Sequence, residues 1–159
     1  MIVNWKMNKL ELKLPPLLLF LLFGALMWAV SAFLPSPNLA FAGRMIVAGL
    51  LFIIGLATVL AGVLSFRRAE TTVNPLAPEG AATVVRSGIY GHSRNPMYLG
   101  LLLGLLAWAV LLAHWGGYLL LPGFIMYMNR LQIIPEERIL TEKFGADYRA
   151  YKVAVRRWL

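Results

Sequence analysis

Residues 95 to 129 read NPMYLGLLLGLLAWAVLLAHWGGYLLLPGFIMYMN and contain no Asp, Glu, Lys or Arg. As one straight helix at 1.5 Å per residue the run would be about 50 Å long, against a bilayer hydrocarbon core of about 30 Å. It has to turn back on itself. Its middle is His114-Trp115-Gly116-Gly117-Tyr118, and paired glycines weaken a helix, so the turn is expected there. The stretch therefore reads as a hairpin of two short spans, about 96–113 and 118–134.

Two further uncharged runs lie upstream. One covers about 14–34; the other covers about 45–66 and is flanked by Arg44 and Arg67. Each matches the roughly 20 apolar residues that a spanning helix needs. Composition agrees: hydrophobic types make up 60% of the 159 residues and charged types 14%, where a soluble domain carries about a quarter charged. The fold class that follows is all-α and integral to a membrane: one domain over residues 1–159, four transmembrane helices, a polar linker and short C-terminal helices over 135–155. No cysteine is present, which removes disulfides, thiolate metal sites and cysteine nucleophiles. No metal is expected. The net charge of +8 sits between the apolar runs, a membrane pattern rather than a nucleic-acid one.

The basic residues also orient the chain. Lys6, Lys9 and Lys13 precede the first span. Arg67, Arg68, Arg86 and Arg94 lie in the linker, and Arg130, Arg138, Lys143, Arg149, Lys152, Arg156 and Arg157 follow the last span. Arg44 alone is on the other side. Positive residues mark the cytoplasmic face, so a multi-pass protein of the inner (cell) membrane with both termini cytoplasmic is expected. Ala40-Phe41-Ala42 has the small-residue spacing of a signal-peptidase site, but the run before it exceeds the 7–15 residues of a signal core.

In the linker, 79–86 has the makings of a short helix capped by Gly88. Pro135-Glu136-Glu137 has the form of a helix start, with Gly145 as its stop. Arg138 and Glu142 are spaced to pair with each other. Asp147 can cap a last helix that places Tyr148, Tyr151 and Val155 on one face.

The spans hold no Asp, Glu or Lys, which argues against a proton-coupled transporter. Polar chemistry gathers instead in Tyr90–Tyr98 and Asn129–Glu137. Asn95-Pro96 opens a helix, with Asn95 as N-cap, and Arg94 beside that N-terminus makes an anion site. Gly100 and Gly104 read as a close-packing pair. Glu136 and Glu137 point about 100° apart on a helix. Neither has a basic residue three or four positions later, so at least one is available to a cation or a sugar hydroxyl. His92 and Glu137 are the residues considered as bases.

Gly88-x-Tyr90, Ser93-Arg94-Asn95-Pro96-Met97-Tyr98-Leu99-Gly100, Glu136-Glu137-x-x-Leu140, Phe144-Gly145, Tyr148, Tyr151 and Arg156-Arg157-Trp158 occur in that order. In this the chain resembles the isoprenylcysteine carboxyl methyltransferase and phospholipid methyltransferase superfamily, its short bacterial members above all. The resemblance covers about Thr71 to the C-terminus. It implies S-adenosylmethionine as methyl donor, bound by Ala82, Thr83, Val84, Val85, Tyr90, Arg94, Asn95, Pro96, Tyr98 and Glu136. It also places Arg130, Gln132 and Glu137 near the reacting groups. The partner would be a lipophilic or small amphiphilic acceptor met among membrane lipids, methylated on a carboxylate, amine or thiol. Two positions depart from the pattern: Asn95 stands where His is commoner, and Gln132 where the eukaryotic carboxyl methyltransferases have Arg. The alternatives are an NADPH-dependent membrane reductase of the sterol-reductase type and a non-catalytic membrane adaptor. Against the reductase, the chain has no Gly-rich dinucleotide loop and few spans.

Overall fold

The computed structural model describes residues 11–37, 39–71 and 74–159, so Lys6 and Lys9 lie outside the described residues. Among the described residues the structure is helical, with no strand. α1 is Pro16–Phe33, α2 Arg44–Arg68, α3 Pro96–Leu112 and α4 Trp115–Tyr127, followed by a π-helical turn at Met128–Ile133. Two short helices follow, α5 (Ile134–Phe144) and α6 (Ala146–Ala154). Proline opens α1 and α3 in the first turn, where an N–H has no partner within the helix.

With 18 and 25 residues, α1 and α2 are long and apolar enough to cross a bilayer; α3 is a shorter apolar helix. Their large side chains face outward: Phe33 is 79% exposed and Ile46 69%. Water would not tolerate so broad an apolar surface on a monomer, whereas lipid does.

α3 is the centre of the bundle. A Cβ on Gly100 would lie 2.5 Å from the Gly55 carbonyl oxygen and from Val59 Cγ2, so α2 and α3 touch backbone to backbone there. Gly104 faces the Phe20 ring of α1. Met27, Leu105, Phe124, Met128 and Ile133 fill the interior, with Phe23 edge-on to Phe124 at 5.5 Å. Gly100→Ala is expected to push α2 from α3 and destabilise by about 1–3 kcal/mol. Gly49→Ala, with nothing near its Cβ, should be neutral or slightly stabilising. Thermal unfolding of both variants in detergent checks this, and equal melting temperatures would refute it.

The α3–α4 turn falls earlier than the glycines suggested. Ala113 takes the left-handed conformation at φ 49°, and α4 already begins at Trp115. His114, buried, makes the corner: its Nδ1 accepts from Gly116 N at 3.0 Å and its Nε2 donates to Leu34 O at 3.1 Å. Gly116 and Gly117 sit inside the first turn of α4 because other helices press on them. A Cβ at Gly116 would meet Val30 at 2.3 Å. They serve packing, not breakage.

At the other end of α4 the chain does not stop before Pro135 but runs through the π turn into α5. Pro135 has no N–H for the Leu131 carbonyl, four residues back, and Leu12 N supplies one at 3.0 Å. Three local expectations are corrected. Residues 79–86 form no helix: a single 3-10 turn, Pro78–Gly80, precedes irregular chain, which contacts elsewhere hold in place. Ala82 N donates to Thr71 Oγ1, and Lys143 to Glu79 O. So short a segment gains too little to offset helix nucleation. Arg138 pairs with Glu11 at 2.5 Å and not with Glu142. Gly145, at φ 55°, ends α5 as expected, but it also occupies the position before α6 expected for Asp147, which lies inside the first turn, 3.9 Å from Arg86.

The helices run up and down, so the start of α1, the end of α2, the start of α3 and the π turn share one end. Among the described residues every Lys and Arg except Arg44 belongs to that end.

Candidate functional site

A pocket opens at the basic end, walled by the end of α2, the loop 74–91, the start of α3, α5 and α6. Its aromatic side is built on Tyr90, set edge-on to Phe66 at 5.2 Å, with Tyr151 donating to the Tyr90 carbonyl at 2.8 Å. Burial holds the Tyr90 and Tyr148 phenols above their ordinary range and pushes Tyr151 up to about 12, so all three stay neutral.

One pole of the pocket is Glu136. Its Oε1 accepts from Tyr98 OH at 2.5 Å and from Gln132 Nε2 at 2.6 Å. Gln132, one helical turn earlier, also donates to Pro75 O at 2.8 Å, which fixes the loop against the carboxylate. Among the described residues no Lys or Arg pairs with Glu136. Burial pushes its pKa up to about 7; the two hydrogen bonds hold it down and the Glu137 charge adds to the rise.

The opposite pole is a buried ion cluster. Arg94 donates from one NH2 group to Glu137 Oε1 at 2.7 Å and from the other to the carbonyls of Lys152 (2.9 Å) and Val155 (2.6 Å). Arg157 grips the same carboxylate with two bonds, Nε to Oε1 at 3.1 Å and NH2 to Oε2 at 2.7 Å. Burial alone would raise the Glu137 pKa, but the hydrogen bonds from Arg157 and Arg94 outweigh it and hold the group below its ordinary value. Two guanidiniums thus face one carboxylate, leaving a surplus positive charge. Arg94 Nε is the buried side-chain polar atom without a partner among the described residues.

Residues 155–158 form a strap over this pole. Arg94 N donates to Arg156 O at 3.0 Å, Asn95 Nδ2 to Arg157 O at 3.0 Å, and Trp158 Nε1 to Asn129 Oδ1 at 3.1 Å. Asn95 occupies the N-cap position of α3, but its side chain reaches the strap and makes no cap bond.

Of the residues singled out from sequence, Thr83, Val84, Val85, Tyr90, Arg94, Asn95, Tyr98, Glu136 and Glu137 line one pocket. Gln132 stands behind Glu136. Pro96 is buried at the helix start, and Ala82 is exposed with its N–H turned to Thr71. Arg130 is exposed on the π turn and does not reach the pocket; nor does His92, which is exposed in its loop. Glu137, held as a carboxylate by two guanidiniums, is a poor base. Sequence reasoning gave no role in the pocket to Phe66, Met97, Tyr148, Tyr151 or Arg157. For the last four the signal was their place in the quoted motifs.

Residues 43–147 match the phospholipid methyltransferase family. An uncharacterised protein of Haemophilus influenzae is 51% identical over 63 residues, which cover 40% of this chain and 100% of that protein. No solved structure matches the chain. A match over about two thirds of the sequence, on a helical chain with two helices able to cross a bilayer, makes this a membrane protein that belongs to the phospholipid methyltransferase family, within the isoprenylcysteine carboxyl methyltransferase-like superfamily.

Proposed function

We propose that the protein is an integral membrane methyltransferase that takes its methyl group from S-adenosylmethionine and acts on a lipophilic or small amphiphilic acceptor. The observation that carries this is the two-pole pocket. The amino acid end of the donor has an ammonium and a carboxylate, and the pocket offers a carboxylate without a cation, Glu136, opposite a cluster with one surplus positive charge at Arg94. The unpartnered Arg94 Nε fits the same reading, because a buried donor without an acceptor is costly until something supplies one. Tyr90 and Tyr98 line the same pocket, Tyr98 beside Glu136, and their ring faces suit a sulfonium.

When bound, S-adenosylmethionine supplies a methyl group activated for displacement by a heteroatom. The chain's own contribution is to bind and orient. Glu136 takes the ammonium, Arg94 the carboxylate, and the aromatic wall with Val85 and Met97 keeps water away from the centre. Titrating the purified protein in detergent with S-adenosylhomocysteine and with NADPH tests the reading. Binding of the first alone supports it. Binding of NADPH points to the reductase, and binding of neither to an adaptor; each overturns it.

The proposed setting is four spans in the inner membrane, formed by α1, α2, α3 and α4 with its π turn. The basic end and the pocket then face the cytoplasm, where the donor is. Reporter fusions after Leu159 and within 35–43 should report opposite sides; the same side for both would sink the arrangement.

A further inference from the structure

The ion cluster holds more positive charge than its own folding needs. Glu137 alone would neutralise Arg94, and a simple buried pair would be complete. Instead Arg157 takes both Glu137 oxygens, and Oε1 is divided between Arg157 Nε and Arg94 NH2. The Arg94 and Glu137 side chains are 10% and 11% exposed, so solvent screens the charge on Arg94 weakly, whereas Arg157 is 34% exposed and better screened. Arg157 does not line the pocket; Arg94 does.

We propose that Arg157 is a positioning residue that chelates Glu137 and so keeps Arg94 fixed, with its charge uncompensated, for an anionic group of the ligand. Without Arg157, Glu137 is free to turn and take Arg94 as a bidentate partner. The cluster then becomes neutral. The strap contacts from Arg157 O to Ser93 and Asn95 remain, because they use backbone rather than the guanidinium. What is lost is the attraction for an anion at Arg94, not the wall of the pocket. This rests on the donor reading given above, in which that anion is the donor's carboxylate.

The test compares S-adenosylhomocysteine, which has the carboxylate, with 5′-methylthioadenosine, which lacks the whole amino acid end. Both are titrated into wild type, Arg157→Gln and Arg157→Lys in detergent. Arg157→Gln should weaken S-adenosylhomocysteine by about tenfold, one charge-assisted contact, and leave methylthioadenosine unchanged. Arg157→Lys keeps the charge but loses the planar fork, and should lose about threefold on the same ligand only. A merely structural role would weaken both ligands alike. Equal loss of both, or loss of neither, overturns the proposal. Should Arg157→Gln fail to insert, the same criterion applied to Arg157→Lys decides. If wild type binds neither ligand the donor reading itself has failed; if it binds both and the variants keep its ratio, only the role of Arg157 has.

Discussion

Glu136→Gln is expected to lower affinity for S-adenosylhomocysteine by about a hundredfold or more while the protein still inserts and folds. The amide retains an oxygen for Tyr98 but brings an NH2 toward the bound ammonium, replacing attraction by repulsion. Its effect on the free protein should have the opposite sign. Burial, as the largest cause, raises the Glu136 pKa to about 7 from an ordinary 4.5. The folded state therefore holds a proton over that interval that the unfolded state has released, and stability falls as pH rises through it. Glu136→Gln removes this loss, so the unliganded variant should melt no lower than wild type at pH 8. Glu137 runs the other way: its stabilisation is present above the ordinary carboxylate range and disappears as pH falls through its depressed pKa. Ligand affinity in wild type should rise with pH up to about neutrality, as Glu136 ionises, and then level off. Calorimetry from pH 5.5 to 8.5 reads both effects. Normal binding by the variant, or a flat wild-type profile, would leave Glu136 as a helix-dipole acid only.

Arg94→Ala should produce the largest loss of stability of any single change at the site, about 1.5–3 kcal/mol for the lost charge-assisted bond to Glu137, which Arg157 still neutralises. It also removes the bonds to Lys152 O and Val155 O that tie α6 to the start of α3. Donor affinity should fall at least tenfold in the fraction that remains folded, measured at low temperature. From sequence alone Arg94 was a ligand-binding residue beside a helix N-terminus. The structure adds that it is a clamp, so its two effects have to be measured separately. A melting temperature equal to wild type would refute the clamp, and wild-type affinity would refute the anion site. Asn95→His is a contrasting case. The Asn95 side chain donates to Arg157 O and makes no cap bond, a contact an imidazole N–H can replace, and a change below about 1 kcal/mol is expected.

What the sequence made legible was whatever depends on runs and on neighbouring residues. Uncharged length located α1 within 14–34, α2 over 45–66 and α3 from Pro96, because hydrophobic length is a local property. The glycines at 116 and 117 misled, since a glycine that breaks a helix and one that admits a neighbour look the same until the neighbour is known. The ion cluster was illegible for the same reason on a larger scale. Arg94, Glu137 and Arg157 lie 43 and 20 residues apart, and no period connects them. Arg130 was drawn into the site by its closeness in sequence to Gln132. The π turn, which widens the helix just there, leaves it exposed on the surface.

The strap of residues 155–158 sets an order on how the site is made. A chain is synthesised from its N-terminus, and all four bundle helices, the loop 74–91 and both glutamates precede Arg157. The hydrophobic segments can therefore enter the bilayer, and α2 can close on α3 at Gly55 and Gly100, before the ion cluster is assembled. At that stage the cluster around Glu137 is incomplete. Only when residue 157 has left the ribosome does the second guanidinium arrive. Insertion of the apolar helices and completion of the ion cluster are then separate events in time, and a chain cut short before Arg157 would keep the α2–α3 contact but lack the second guanidinium.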